Sequence, residues 1–129
     1  MVQKMGSDLR TSSIAVWPLK VKLLKKDKTL TISFDDGSIF TYPAEYLRVE
    51  SPSAEVQGHG ASQKRIIGGC KDVAINQVES IGNYAIRLHF DDQHNSGIYS
   101  WTYLHQLGTK KHENWNRYLE MLKNIGLNR

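Results

Sequence analysis

One unit recurs within the chain and constrains its fold more than any other feature. Leu30, Ile32 and Phe34 alternate with polar residues into Phe34-Asp35-Asp36-Gly37. Ser38 to Tyr42 follows as a second extended run, and Pro43-Ala44-Glu45-Tyr46-Leu47 opens a short helix. Downstream, Tyr84, Ile86, Leu88 and Phe90 alternate with Ala85, Arg87 and His89 into Phe90-Asp91-Asp92. Asn95-Ser96-Gly97 supplies turn residues, Ile98 to Ser100 is extended again, and Trp101 to Leu107 reads as a short helix stopped by Gly108. Period-two alternation puts one face of a strand in a core, and the Asp, Asn and Gly clusters between the runs are turn formers. The two Phe-Asp-Asp triplets begin 56 residues apart, at Phe34 and Phe90. Two copies imply a paired architecture and are too few for a solenoid.

The rest of the chain completes this frame. Met1 to Ser13 is polar, with little to bury, and is expected to be a flexible tail ahead of a single domain over 14–129. Pro18 restricts Trp17 to extended geometry. A strand over Leu19 to Leu24 then turns through Lys25 to Lys28 into Thr29 to Phe34, and Asp36-Gly37 is a hairpin signal into the third strand. Pro43 is placed at a first helical position before Ala44 to Arg48. Val49 to Asp72 is long and glycine-rich, the kind of loop that tends to be functional or mobile. One helical turn is expected inside it, with Ser51 as N-cap, Pro52 first and Gly58 as stop. Val73 to Glu79 forms a strand joined through Gly82-Asn83 to the central one. Lys110 to Leu127 is the one long helix, with Trp115, Tyr118, Leu119, Leu122 and Ile125 on the face toward the sheet and Gly126 at a fraying end. The expected class is α+β: an antiparallel β-sheet built from hairpins, with short helices and one longer C-terminal helix packed on it.

Composition bounds the function. At 129 residues, 40% hydrophobic and 23% charged, the chain is long enough for one core without a covalent staple. The net charge of +4 is mild and its basic residues mostly scattered, so no nucleic-acid role is expected. Cys70 is the single cysteine, so no internal disulfide is possible and a reducing, cytoplasmic setting is expected. No run approaches the roughly 20 apolar residues of a membrane span, and Met1 to Ser13 lacks the apolar segment of a secretory signal.

The run from Glu45 to Gly60, with Gly82-Asn83-Tyr84-Ala85, Phe90-Asp91-Asp92-Gln93-His94 and Gly97-Ile98-Tyr99-Ser100-Trp101-Thr102-Tyr103-Leu104, resembles the gamma-butyrobetaine hydroxylase-like N-terminal domain family from about Pro18 to Leu107. Proteins of this family occur as small stand-alone bacterial chains of unknown function. They also occur as the N-terminal module of gamma-butyrobetaine and trimethyllysine dioxygenases and as an appendage on P-loop iron–sulfur carriers. The resemblance implies a mixed module and no reaction. In the dioxygenases the module holds a structural zinc through three cysteines and a later histidine. Matched here, those positions are Ser51, Ser53, Val56 and His94, so His94 is the one ligand position retained. Serine hydroxyls are poor zinc ligands beside thiolate, and neither zinc, iron nor any other cofactor is expected.

Other chemistry-bearing residues carry less. His89-Phe90-Asp91 matches the His-x-Asp of non-haem iron oxygenases, but it spans three residues and Asp91 has a turn role mirrored by Asp35. Cys70, His59 and His94 could form a nucleophile with bases or a partial metal site, although nothing in the sequence fixes them together. Gly58-His59-Gly60 and Gly68-Gly69 lack the spacing of a phosphate cradle. What remains is a contact surface of loop and turn residues: Arg48, Ser51, His59, Asp91, Asp92, His94 and Trp101, beside an aromatic cluster. The expectation is therefore a small non-catalytic module acting through protein contact, its partner another protein or a second copy of this chain. The alternative is an accessory to iron–sulfur assembly or 2-oxoglutarate-dependent dioxygenase chemistry.

Overall fold

A computed structural model describes residues 16–57 and 65–129. The expected flexible tail over 1–13, and His59, lie outside these residues. The strands form two three-stranded antiparallel sheets. The first contains β1 (Pro18–Leu24), β2 (Thr29–Phe34) and β3 (Ile39–Pro43), followed by α1 (Ala44–Val49) and the single turn α2 (Ala54–Gln57). The second contains β4 (Ile75–Ile81), β5 (Ala85–Phe90) and β6 (Ile98–Ser100), followed by α3 (Trp101–Thr109) and α4 (Lys111–Asn124). In each sheet the middle strand is the second, and it supplies the core: Leu30, Ile32 and Phe34 from β2, and Ile86, Leu88 and Phe90 from β5, are buried. One apolar cluster joins both sheets to α1, α3, Tyr118 and Leu122.

The two halves match residue for residue. β1 opens on β2 with Pro18 opposite Phe34, a bulge at Leu19, then Lys20 opposite Ser33. β4 opens on β5 with Ile75 opposite Phe90, a bulge at Asn76, then Gln77 opposite His89. The third strands pair in equivalent register, Tyr42 opposite Leu30 and Tyr99 opposite Ile86. Corresponding residues lie 57 apart on the first strands, 56 on the second and 57 on the third, so the offset shifts by one residue at both hairpins of each half.

Several local expectations are corrected. Tyr84 is exposed, because the ladder closes at Ile81 opposite Ala85 and leaves Tyr84 in the turn after Gly82. Pro43 is the last strand residue and the N-cap of α1, with ψ 144°, so it precedes the helix. The turn in the long loop is capped by the Ser53 carbonyl, which accepts from Val56 and Gln57, two residues later than expected. Gly108 lies inside α3; an added Cβ there would sit 2.8 Å from Cδ1 of Phe40 and nearer still to Cγ and Cδ2. This glycine lets an aromatic ring pack flat on the helix backbone. Of the expected stripe, Tyr118 and Leu122 are buried and Trp115 packs against the core, while Leu119 and, just past α4, Ile125 are exposed. Gly126 closes α4 with φ +75°: its N–H bonds to Lys123 O and that of Leu127 to Leu122 O, the paired bonds of a Schellman cap.

Candidate functional site

The two Phe-Asp-Asp turns are built alike. In the first, Phe34 N–H donates to Ser38 O, Gly37 N–H to Phe34 O, and Asp35 N–H to Trp17 O; in the second, Phe90, Gln93 and Asp91 donate to His94, Phe90 and Ala74. Asp35 returns a carboxylate oxygen to Trp17 N–H and Asp91 returns one to Ala74 N–H, tying each turn to the start of its outer strand. The second aspartate of each turn accepts from the residue two further on, Ser38 or His94, an Asx turn. Its other oxygen reaches across to the opposite half. Asp36 lies 2.8 Å from His105 on α3, and Asp92 lies 2.8 Å from Arg48 on α1. Hydrogen bonds from Ser38 hold the Asp36 carboxyl down at about 2, with His105 adding to the effect.

Tyrosines brace the halves in the same reciprocal manner. Tyr42 donates to Leu104 O and Tyr46 to Leu107 O, both at 2.7 Å; Tyr99 donates to Leu47 O and Tyr103 to Glu50 O, both at 2.5 Å. Each helix carbonyl is thus met by a phenol from the other half, and burial pushes all four phenols up, Tyr46 to about 12.

The halves differ in how one strand–helix contact is filled, and in the second half polar side chains converge there. Phe40 and Gly108 correspond to Gly97 and Ser51 in the other half. Where the first half packs a ring on a glycine, the second has glycine on the strand, and any Cβ on Gly97 would collide with Ser51 Oγ. The space holds Ser51, Ser53 and His94, all buried. His94 Nε2 lies 2.9 Å from Ser51 Oγ and 3.4 Å from Ser53 Oγ. Its Nδ1 is 3.7 Å from Glu55, whose carboxylate accepts from Ser96 at 2.5 Å and is lowered chiefly by that bond. Burial, reinforced by the Arg48 charge, holds the His94 imidazole below the usual histidine range.

Serine, histidine and glutamate in this order are the residue types of a nucleophile, base and orienting acid. Ser51, however, has no accessible surface, so no substrate reaches its hydroxyl. As a metal centre the group is equally unsuited: it offers one imidazole nitrogen and two neutral hydroxyls, and Val56 is an alkyl side chain. Structural zinc is held by thiolates and imidazoles, so these residues do not fit the ion. Among the described residues no three His, Cys, Asp or Glu side chains are grouped to hold a metal.

Of the residues singled out from sequence, Arg48, Asp92, Ser51 and His94 are brought into one network. Asp91 is held by the Ala74 amide instead. Trp101 donates its indole N–H to Asn83 O at the β4–β5 turn. His89 pairs with Glu79 at 2.8 Å, so His89 and Asp91 serve separate partners. Cys70 is buried and its thiol is pushed up by burial, opposite to the activation a nucleophile needs. Ser53 and Val56 were legible only through the family resemblance. Glu55 and Ser96 were legible as cluster members in neither way, because the contact between them spans 41 residues.

A tail site was missed altogether. Arg129 forms a two-pronged pair with the buried Glu45, at 2.8 and 3.1 Å, and its guanidinium lies 5.4 Å from the centre of the Trp115 ring. A cavity of about 600 Å³ opens beside them, lined also by Tyr46, Gly108 and Lys111.

Comparison with known proteins agrees with this architecture. The family model described as gamma-butyrobetaine hydroxylase-like, N-terminal, matches residues 21–105. A protein solved by solution NMR is 43% identical over 88% of this chain and 89% of its own, with a TM-score of 0.77. A second NMR structure is 40% identical over 95% and 91%, with a TM-score of 0.79. A crystal structure from Acidithiobacillus ferrooxidans ATCC 23270, of a protein of unknown function in the DUF971 family, is 34% identical over 70% and 91%, with a TM-score of 0.60. No curated protein gives a match.

Proposed function

The chain belongs to the gamma-butyrobetaine hydroxylase-like N-terminal family, and on that premise we propose that it is a non-catalytic module that acts in the cytoplasm by binding another protein. The observation that supports this reading is the sealed state of the one catalytic-looking cluster among the described residues. Ser51 is inaccessible, both nitrogens of His94 face partners, and Asp36, Asp92, His105 and Arg48 are engaged in bracing the two halves. Side chains that could do chemistry serve the fold, while large apolar side chains stand open on the first sheet. Among the described residues no helix is long and apolar enough to cross a membrane.

The test is affinity capture with the full chain from lysate of its own cell, combined with native mass spectrometry. A stoichiometric protein complex is expected. A chain that stays monomeric and captures nothing, or that hydrolyses an activated ester at a rate lost in Ser51→Ala, overturns the reading.

The domain fusions implied by the family resemblance suggest a second reading, in which the module is an accessory to iron–sulfur cluster assembly or to 2-oxoglutarate-dependent dioxygenase chemistry. Faster cluster transfer or faster dioxygenase maturation on adding the purified chain supports it; no change in either excludes it.

A further inference from the structure

The near-exact correspondence of the two halves separates what the fold requires from what it does not. At three positions a large exposed apolar residue in the first half has a small or polar counterpart in the second: Trp17 against Ala74, Leu19 against Asn76, and Ile39 against Ser96. Leu19 is 72% exposed, Ile39 67% and Trp17 46%. Leu19 and Asn76 occupy the same bulge of the same edge strand, so the bulge itself does not call for leucine. Lys20 and Ile39 both pair with Ser33 and therefore share one face of the sheet. That face is the solvent side, since the neighbouring Ile32 is fully buried. Trp17 and Leu19 thus stand at the start of β1, whose sole strand neighbour among the described residues is β2, while Ile39 lies on β3 at the far edge of the sheet.

Charge collects there too. From Pro18 to Thr29 the chain carries five lysines, at 20, 22, 25, 26 and 28, against Asp27, a net of +4 that equals the formal charge of the whole sequence. Lys20 and Lys22 make no ion pair among the described residues. In the second half, Glu79, the counterpart of Lys22, is occupied by His89 at 2.8 Å and Arg87 at 3.6 Å.

We propose that β1 is a docking edge for an acidic, extended segment of a partner protein, which adds to the first sheet as a fourth strand. Backbone pairing along β1 supplies the attachment. Lysines at alternate positions select acidic residues opposite them, and the exposed Leu19 in the bulge covers an apolar residue of the incoming strand. Edge lysines also keep a strand from pairing with its own copy, because two such edges would set lysine against lysine. Partner selection and avoidance of self-pairing then come from the same residues. This inference rests on the protein-binding reading and names its surface.

The probe is a synthetic peptide as long as β1 alternating Glu with Val, compared with one alternating Lys with Val, each titrated into the full chain and followed by amide NMR shifts and hydrogen exchange. The Glu peptide is expected to bind saturably, with slowed exchange centred on 18–24, and to weaken as salt is raised. Lys20→Glu/Lys22→Glu should lose at least about tenfold in affinity at unchanged thermal midpoint. Leu19→Asn, which installs the counterpart residue, should also weaken binding. Absence of binding, equal binding of the Lys peptide, or protection elsewhere overturns the proposal. A complex captured from lysate equally well by wild type and Lys20→Glu/Lys22→Glu would remove this inference and leave the protein-binding function standing.

Discussion

Gly108→Ala is expected to destabilise the protein, although alanine is normally the better residue within a helix. The preference for alanine is about 1 kcal/mol. Against it stands the Phe40 ring, which an alanine Cβ would enter at 2.8 Å from Cδ1 and closer to two further ring atoms, where unstrained carbon contacts are about 3.5–4.0 Å. The ring has little room to yield: Phe34, Tyr42 and His105 surround it edge-on at centroid distances of 6.0, 6.2 and 5.5 Å. Overpacking of this kind costs about 1–3 kcal/mol, and overlap with three atoms of one ring puts the cost toward the upper end. The net expectation is a loss of about 1–2 kcal/mol, or roughly 3–8 °C in Tm. Phe40→Leu relieves the overlap, so a double-mutant cycle measured by urea denaturation should show the pair at least about 1 kcal/mol more stable than the sum of its parts. If Gly108→Ala is as stable as wild type, or if the cycle is additive, the packing explanation for this mid-helix glycine is wrong.

His94 gives a pH test. Its folded pKa is depressed by burial and Arg48, so the unfolded chain takes up a proton first as pH falls through about 6.5. Stability should be full above that pH and decline below it toward the folded value, by no more than about 1.4 kcal/mol per pH unit; urea midpoints that decline equally in His94→Gln would exclude His94 as the source. Arg129→Ala removes the partner of the buried Glu45 and should cost about 1–2 kcal/mol by denaturation. Arg129→Lys should recover only part, since one ammonium cannot reproduce the guanidinium fork; full recovery would mean that simple charge suffices. Replacing Ser51, Ser53 and Val56 together by cysteine should install a zinc site with His94 as fourth ligand, read as one zinc per chain by elemental analysis. A metal-free, folded triple variant would disprove the correspondence with the family's ligand positions.

The paired architecture was legible because alternation into Phe-Asp-Asp is a local signal, and the buried triads Leu30, Ile32, Phe34 and Ile86, Leu88, Phe90 follow from it. Local signals misled where a distant group decides. Gly108 reads as a helix stop until Phe40, 68 residues away, is placed on it, and Tyr84 fits the strand pattern until the turn at Gly82 moves it out. Asp92 and Arg48 appear in the sequence as surface charges. Their direct contact, and the service of Asp36 to His105, depend on each helix lying against the opposite turn, which no periodicity encodes. The serine–histidine cluster was visible only as a list of positions. Its sealing depends on Gly97 leaving room for Ser51, a trade that only the correspondence between halves makes plain.

The crossed tyrosines have a consequence for how the chain is made. Tyr46 waits for a carbonyl 61 residues further along, and Tyr99 for one 52 residues behind it. An emerging N-terminal half therefore lacks the carbonyls that its phenols bond to, and these braces are expected to close only after Leu107 has been synthesised. A truncated chain that stops short of that residue should be an easy target for proteolysis rather than a smaller working protein.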